Sequence, residues 1–269
     1  MMNNVFDLSS EIILITGVSG ILGNNYANYL LSQNAKVIGL DIAQNHKIEK
    51  LFRDYPEKFK FVYCDITSSE SILDAVDIVN HEMSVPTVLI NNAALDSPPM
   101  SSVQENGPFE DYPESSWDKV MDVNLKGMFL CCKHFGKLMV KNKKGSIINI
   151  SSIYGMVSPD QSIYEYRRKN GEDFYKPVAY SVSKSGVLNF TRYLANYWGS
   201  KGIRVNTLTL AGVFNNQDQG FIEQYVSKIP IGRMAEPSDY FGPLHFLCSN
   251  SSIYMTGANL VIDGGWTSK

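Results

Sequence analysis

The fold of this chain is decided by residues 11–23, which read Glu11-Ile12-Ile13-Leu14-Ile15-Thr16-Gly17-Val18-Ser19-Gly20-Ile21-Leu22-Gly23. The apolar run is long enough for one buried strand, and a helix is predicted to follow from about Leu22 to Ser32. Glycines between them permit a tight turn and let backbone N–H groups approach a pyrophosphate, whose charge the helix N-terminus favours. The stretch therefore predicts a strand, turn and helix that bind a dinucleotide.

Short β-rich runs alternate with longer helical stretches along the rest of the chain, which is the pattern of a parallel sheet with crossover helices. Several runs are continuously apolar, as expected for strands buried on both faces. The sequence therefore predicts an α/β fold, a doubly wound (Rossmann) seven-stranded parallel sheet with helices on both faces, in a single domain over residues 1–269. The predicted strands are Glu11–Thr16, Lys36–Leu40, Phe59–Cys64, Thr87–Ile90, Ser146–Ile150, Arg204–Leu208 and Asn259–Ile262.

The second predicted strand is followed by Asp41, eighteen residues beyond Gly23. An acidic residue at about this distance can accept hydrogen bonds from the adenosine ribose hydroxyls, and it repels a 2′-phosphate. Neither Val18 nor Ser19 is basic, so the turn offers no cation for such a phosphate. These features predict NAD as the cofactor in preference to NADP. Alternatively, Asp41 only caps the helix that follows.

Polar or small residues also follow the third and fourth predicted strands. Asp65 and Ile66 come after the third, and Asn92 and Ala93 come after the fourth. Each pair alone is typical of a turn or a helix cap. Their repetition after successive strands predicts that they lie along the same cofactor, with Asp65 accepting a hydrogen bond from the adenine amino group.

Composition excludes several classes of function. With 44% hydrophobic residues, 24 Lys and Arg and 27 Asp and Glu, the chain should fold into a globule of net charge -3 without the basic stripe that follows nucleic acid. No window reaches the roughly 18 apolar residues of a membrane span, and the N-terminal residues do not resemble a secretion signal. Four cysteines and four histidines lack metal-ligand spacing. We therefore expect a cytoplasmic protein that binds neither metal, membrane nor nucleic acid.

Tyr180-Ser181-Val182-Ser183-Lys184 places a phenol and an ammonium four residues apart at the start of an apolar-periodic segment. On a helix these two side chains share one face. A phenol with a free pKa of about 10 is a poor base at neutral pH, and a nearby ammonium favours its ionised form. Upstream, Ser151 and Ser152 come directly after the fifth predicted strand, so that a hydroxyl lies at the same edge of the sheet.

These motifs together resemble the short-chain dehydrogenase/reductase family, in its compact single-domain branch. The resemblance covers nearly the whole chain and follows the family's order. It rests on the glycine turn Thr16–Gly23, Asn91–Ala94, Val123–Gly127 with Asn124, Ser152, Tyr180, Lys184, Arg204–Asn206, Gly232–Pro237, Thr256–Gly257 and Asp263–Gly265.

The resemblance implies an enzyme that moves a hydride between a nicotinamide dinucleotide and a carbonyl or alcohol carbon. Tyr180 would be the general acid and base, and Lys184 would lower its pKa and bind the nicotinamide ribose. Ser152 would polarise the substrate oxygen, and Asn124 would hold a water that links Lys184 to solvent. The implied cofactor contacts are Gly17, Ser19, Gly20, Ile21, Leu22, Gly23, Asp41, Asp65, Ile66, Asn92, Ala93, Tyr180, Lys184 and Val213.

The sequence departs from the family pattern at two places. The glycine turn has Gly20 and then Ile21, a spacing typical of the extended branch that includes sugar-nucleotide epimerases and dehydratases. An enzyme of that kind with tightly bound NAD is therefore an alternative, as is a cofactor-binding regulator without turnover. After the sixth strand, Leu210-Ala211 replaces the usual Pro-Gly, which makes the contact assigned to Val213 less specific.

Two long irregular stretches follow strands, Asp96–Glu114 and Gly155–Pro177. In the second, twenty-seven residues separate Ser152 from Tyr180, more than twice the family's usual gap. We call the excess, Ser158–Lys176, the insertion. Its Tyr164, Arg167 and Arg168 predict recognition of an anionic or sugar-derived substrate, because guanidinium groups suit carboxylates and phosphates. Alternatively, the insertion is a solvated loop or a subunit contact.

The expected partners are a small-molecule substrate and further copies of the chain. Family members usually form homodimers or homotetramers through the helices that carry Asn124 and Tyr180. The run from Leu125 to Cys132 is apolar enough to be buried on more than one side, which fits such an interface and also fits ordinary core packing.

Overall fold

Strands and helices alternate along the part of the chain that the computed structural model describes, residues 4–96 and 103–268. The strands are β1 (Ile12–Thr16), β2 (Lys36–Asp41), β3 (Phe59–Tyr63), β4 (Val88–Asn91), β5 (Gly145–Ser152), β6 (Ile203–Leu210) and β7 (Asn259–Ile262). The helices are α1 (Ile21–Ser32), α2 (His46–Asp54), α3 (Ser69–Glu82), α4 (Glu114–Met121), α5 (Met128–Asn142), α6 (Glu165–Lys169), α7 (Val178–Trp198), α8 (Gln219–Val226) and α9 (Phe241–Cys248).

The described strands form one sheet of seven in the order β3-β2-β1-β4-β5-β6-β7. Every neighbouring pair is parallel. The order reverses between β1 and β4, and ligands of such sheets bind beyond the carboxyl ends of the strands near this point. The predicted doubly wound sheet is confirmed.

Helices cover both faces of the sheet, because successive strand residues point to opposite sides. On β1, Leu14 packs in a core layer with residues of α3, α5 and α7. Its neighbours Ile13 and Ile15 pack in the other layer, with residues of α1, α2 and α9. The continuous apolar runs of the sequence are therefore explained by burial on both sides.

The fifth and sixth strands extend further than the sequence predicts. They pair in register as far as Ser152 opposite Leu210. Ser151 and Ser152 are both buried, although they are polar. The last residue of β5 thus lies at the carboxyl edge of the sheet.

The insertion contains regular turns, although the sequence predicts an irregular stretch. A 3₁₀ turn at Gln161–Tyr164 leads into α6. Ile163 and Tyr164 are buried in a third apolar cluster, together with Tyr154 and with Tyr225 of α8. In the other irregular stretch, residues 97–102 lie outside the described part, and 3₁₀ turns follow at Val103–Asn106 and Phe109–Asp111.

Other expectations concern cysteines, metals and membranes. The four cysteines are all buried and carry free thiols. Within residues 4–96 and 103–268, no three His, Cys, Asp or Glu side chains form a group that could hold a metal ion. No helix in these ranges is both long and apolar enough to pass through a lipid bilayer.

Candidate active site

A cavity of about 1100 Å³ opens at the carboxyl edge of the sheet. It brings together most of the site residues predicted from the sequence, namely Gly17, Ser19, Gly20, Ile21, Leu22, Asp41, Asp65, Ile66, Asn92, Ala93, Ser152, Tyr164, Arg167, Tyr180, Lys184 and Val213. Three predicted residues, Gly23, Asn124 and Arg168, do not line it. Tyr180, Ser152 and Lys184 therefore line one cavity, and Ser152 ends a strand that lies two places along the sheet from β1 and its glycine turn.

The glycine turn is held by close backbone contacts. Gly17 has a φ of +69°, and a Cβ there would lie 2.8 Å from the Cα of Ala93. A Cβ on Gly23 would lie 2.1 Å from the carbonyl oxygen of Gly17, so the start of α1 packs directly against the turn. The side chain of Asn92 donates hydrogen bonds to the carbonyls of Thr16 and Gly17. This geometry leaves the backbone exposed to a pyrophosphate and fits a dinucleotide.

Two carboxylates mark the other strand ends. Asp41 accepts hydrogen bonds from the backbone N–H groups of Ser19 (2.9 Å) and Ile42 (2.8 Å) while still lining the cavity. Asp65 accepts bonds from the backbone N–H and the hydroxyl of Thr67, at 2.9 and 2.7 Å. Each carboxylate thus stabilises a turn and also lines the cavity. The alternative that Asp41 only caps the following helix is wrong, because the side chain of Asn45 caps α2.

Hydroxyl groups fasten the start of α7 to the end of β5. Ser151 donates to the carbonyl of Lys184 at 2.9 Å, and Ser181 donates to the carbonyl of Tyr154 at 2.7 Å. Ser185 donates to the carbonyl of Gly155 at 2.8 Å. These bonds fix the helical face that carries Tyr180 and Lys184 relative to Ser152.

The ammonium of Lys184 lies beside the phenol, as the i,i+4 spacing predicts. Its Nζ is 5.8 Å from the centroid of the Tyr180 ring and donates a 2.9 Å hydrogen bond to the carbonyl of Ile150. The hydroxyl of Ser152 accepts a 3.2 Å bond from the backbone N–H of Tyr154, which orients it at the end of the strand. A phenol and a hydroxyl thus face one cavity, with the ammonium beside the phenol.

The surroundings move the pKa values of this pair apart, that of Tyr180 upward and that of Lys184 downward. Burial raises the pKa of Tyr180, the charge of Asp96 raises it further, and hydrogen bonding with Ser152 lowers it. Burial lowers the pKa of Lys184 to about 8, against the charge of Asp96, which acts to raise it. At neutral pH the phenol is therefore protonated and can donate to a carbonyl oxygen, and Lys184 is still mainly an ammonium.

Asn124 is fully buried in a π-helical turn, Asp122–Gly127, between α4 and α5. Its side-chain amide exchanges two hydrogen bonds with the backbone of Leu95, at 2.7 and 2.8 Å. It also donates to the hydroxyl of Ser183 at 3.0 Å. Asn124 thus joins the segment after β4 to the catalytic helix, one residue from Lys184.

The three predicted substrate residues have different surroundings. Tyr164 is buried on the cavity wall. Arg167 also lines the cavity, but it pairs with Asp218 at 3.2 Å and stacks over the ring of Phe174 at 4.4 Å. Arg168 donates to the backbone carbonyls of Phe174 and Gln161, both at 2.8 Å, and holds the insertion together from outside the cavity.

The cavity is also lined by residues that were not singled out from the sequence, among them Tyr154, Asp96 and Lys176. Tyr154 follows the strand that carries Ser152, Asp96 follows the segment Asn91–Ala94, and Lys176 closes the insertion just before α7. The sequence feature that could have identified them is their position shortly after a strand end or before the catalytic helix. Nothing local to each residue distinguishes it, because the contacts that matter join segments far apart in the chain.

Comparisons with known proteins agree with this geometry. A family model described as enoyl-(acyl carrier protein) reductase matches residues 17–267. A crystal structure of a short-chain dehydrogenase from Leptospira borgpetersenii with bound NAD+ is 36% identical, covers 99% of this chain and 96% of its own, and has a TM-score of 0.85. D-arabinitol 2-dehydrogenase (ribulose-forming) of Candida tropicalis is 32% identical, over 97% of this chain and 94% of its own.

A further relative is 2-dehydro-3-deoxy-D-gluconate 5-dehydrogenase of Escherichia coli, which is 28% identical over the full length of both chains. The family model spans nearly the whole domain, and the relatives cover it from end to end. The chain therefore belongs to the short-chain dehydrogenase/reductase family, as an oxidoreductase that acts on alcohol or carbonyl groups with a nicotinamide dinucleotide.

Proposed function

We propose that this enzyme interconverts an alcohol and a carbonyl group on a polyhydroxylated, sugar-derived substrate and uses NAD(H) in preference to NADP(H). The observation that carries the proposal is that one cavity is lined both by Tyr180, Ser152 and Lys184 and by the carboxylate of Asp41. Ser152 ends β5 and Asp41 ends β2, on opposite sides of the glycine turn that follows β1 in the sheet order.

In the proposed reaction Tyr180 moves the proton and Ser152 orients the oxygen. During reduction, the phenol gives its proton to the carbonyl oxygen, which Ser152 also polarises through a hydrogen bond. During oxidation, the phenolate takes the proton of the substrate hydroxyl. Lys184 stabilises the phenolate and holds the nicotinamide ribose, and Asn124 positions the catalytic helix through its hydrogen bond to Ser183. When bound, the nicotinamide supplies or accepts the hydride.

Charge at the adenosine end supports NAD. Asp41 and Asp65 line this end, and both are acidic. Among the described residues that line the cavity, the Lys and Arg side chains belong to the insertion or to the catalytic helix (Arg167, Lys176 and Lys184). A 2′-phosphate would therefore meet negative charge without a compensating cation.

The substrate wall and the relatives support a polyhydroxylated substrate. Tyr164, Arg167, Gln217 and Asp218 offer donors and acceptors between aromatic rings, while Arg168 keeps the wall in place. Among the relatives, one enzyme is named for a polyol and another for a deoxy sugar acid. Such substrates carry several hydroxyls that these groups can bind.

We also propose a homodimer or homotetramer in the cytoplasm. On α5 and α7, Phe129, Tyr193 and Tyr197 expose large apolar surfaces, and Phe129 contacts Phe190 between the two helices. Contiguous apolar faces of this kind favour association. The free thiols of all four cysteines fit a reducing compartment.

The test is turnover of a panel of polyols and sugar acids with NAD and with NADP, followed by the absorbance of the reduced nicotinamide. We expect a higher kcat/KM with NAD, and Asp41→Ser should shift the ratio toward NADP. Tyr180→Phe should lower kcat about 10²–10⁴-fold without weakening NADH binding. The proposal would be contradicted if Tyr180→Phe were as active as the unchanged enzyme, or if the enzyme bound NADH but turned over no substrate of the panel. NAD that co-purifies without net reduction would favour the epimerase alternative.

A further inference from the structure

The ammonium group of Lys176 lies beside the catalytic phenol. Its Nζ is 5.2 Å from the centroid of the Tyr180 ring and 6.0 Å from that of Tyr154. The side chain lines the large cavity and is only 14% exposed. A largely desolvated positive charge therefore stands on the substrate side of the reaction centre, at the end of the insertion.

The partner of this ammonium is the carboxylate of Asp96, from the segment after β4. Asp96 is 57% exposed, so it can return to water at little cost. The largely buried Lys176 needs an anion, because an unpaired charge in this position is costly. The ion pair is thus replaceable from the side of Asp96, provided that another anion takes its place.

The other cations of the insertion are committed to different contacts. Arg168 donates to two backbone carbonyls, and Arg167 is bound by Asp218 and by the hydroxyl of Tyr166. Lys169 is 72% exposed and pairs with Glu165 one helical turn away. Lys176 differs from these three because it is both largely buried and aimed at the reaction centre.

The hydroxyl of Tyr154 gives an independent sign of a ligand at the same place. Tyr154 is 7% exposed and lines the cavity, yet its hydroxyl is buried. Within the described part of the chain the hydroxyl of Tyr164 lies near it, but the two do not form a hydrogen bond of normal distance and angles. A buried hydroxyl without a well-formed hydrogen bond is destabilising. A ligand acceptor next to Lys176 would satisfy it.

We propose that Lys176 and the Tyr154 hydroxyl bind a carboxylate of the substrate, which displaces Asp96 from the ammonium. This inference rests on the proposed function, since it states which polyhydroxylated substrates the same cavity accepts. Because the ammonium lies against the ring of Tyr180, the carboxylate would be only a few bonds from the reacting carbon. The enzyme should therefore prefer hydroxy acids to neutral polyols of the same length.

The test is calorimetric titration of the enzyme saturated with NADH, in which alcohols bind without being oxidised. The ligands are hydroxy acids from glycolate to D-gluconate, each compared with the polyol of the same chain length. At least one acid should bind more tightly than its polyol. Lys176→Met should weaken the binding of that acid about 10- to 100-fold. The affinity for the polyol should stay the same. Lys176→Arg should retain part of the affinity.

Two further variants separate binding from a merely structural role. Lys169→Met removes the same charge from an exposed position of the insertion and should change the affinity for neither the acid nor the polyol. Asp96→Asn removes the competing carboxylate and should tighten binding of the acid, the opposite of what a damaged fold would do. If no acid binds, or if Lys176→Met weakens acid and polyol equally or not at all, the inference is overturned. Failure of the proposed function is recognised separately, as absence of turnover with NAD.

Discussion

The two ends of the cavity are built in different ways. At the adenosine end, backbone atoms of Gly17, Gly23 and Ala93 approach within van der Waals contact, and the geometry has no room for an added methyl group. At the substrate end, side chains from distant segments meet in pairs, as in Arg167 with Asp218 and Lys176 with Asp96. The first end depends on backbone geometry and cannot vary. The second depends on exchangeable side chains, so substrate choice can change while the chemistry is kept.

The largest effect is expected from Gly23→Ala, which tests the rigid end. The new Cβ would meet the carbonyl oxygen of Gly17 at 2.1 Å, and backbone cannot move aside as a side chain would. We expect the free energy of unfolding to fall by about 2–3 kcal/mol and NADH binding to weaken at least about tenfold. Chemical denaturation and NADH fluorescence titration measure the two effects.

Gly242→Ala is the matched control for this change. Gly242 lies in α9, and a Cβ there would meet nothing within 4 Å. Because alanine favours helices over glycine, stability should stay the same or rise by up to about 1 kcal/mol. Unchanged NADH binding in Gly23→Ala would show that the glycine turn is less constrained than the comparison of the two ends requires.

A smaller effect is expected from Arg168→Met, which tests the variable end. This change removes two charged hydrogen bonds within the insertion, to the carbonyls of Gln161 and Phe174. We expect KM for every accepted substrate to rise about tenfold, because the whole wall loosens. The affinity for NADH should not change, since the insertion does not form the adenosine end.

Steady-state kinetics and NADH titration on the same preparation check this prediction. Lys169→Met, which alters an exposed side chain of the same helix α6, provides the baseline. A parallel loss of NADH affinity in Arg168→Met would mean that the two ends are coupled and that their separation is wrong.

The smallest effect is expected on the pH dependence of Asp96→Asn. The charge of Asp96 raises the pKa of Tyr180, so its removal should lower that pKa. Oxidation needs the phenolate, so the rise in the oxidation rate with increasing pH should begin at a lower pH. The shift should be small, because Asp96 is largely exposed and solvent screens its charge. Asp160→Asn is the control, because Asp160 lies in the insertion but is not among the charges that act on Tyr180. It should leave the pH dependence of oxidation unchanged. A shift toward higher pH in Asp96→Asn would contradict the argument.

The sequence was sufficient for the parts of the molecule that local patterns encode. Apolar runs located all seven described strands, and the glycine turn and the Tyr180–Lys184 spacing located the two ends of the cavity. These features depend on neighbours within a few residues, so a single segment carries the information. Strand ends were less certain, since Ser151 and Ser152 join β5 only because β6 offers partners opposite them.

The substrate wall could not be predicted in the same way. From composition, Arg167 and Arg168 are equivalent, yet one lines the cavity and the other holds backbone carbonyls outside it. Lys176 gains its position from Asp96, eighty residues earlier in the chain. Such pairs arise from tertiary folding, and no local pattern distinguishes them beforehand.

The π-helical turn around Asn124 has a consequence for how this enzyme can evolve. A π turn contains one residue more than an α-helix needs, and such turns are rare and frequently found at functional sites. Deleting one residue between Asp122 and Gly127 would restore regular helical pairing but rotate Asn124 away from Leu95 and Ser183. A deletion that makes this helix more regular would therefore also disrupt the site. We expect this segment to tolerate stabilising changes poorly.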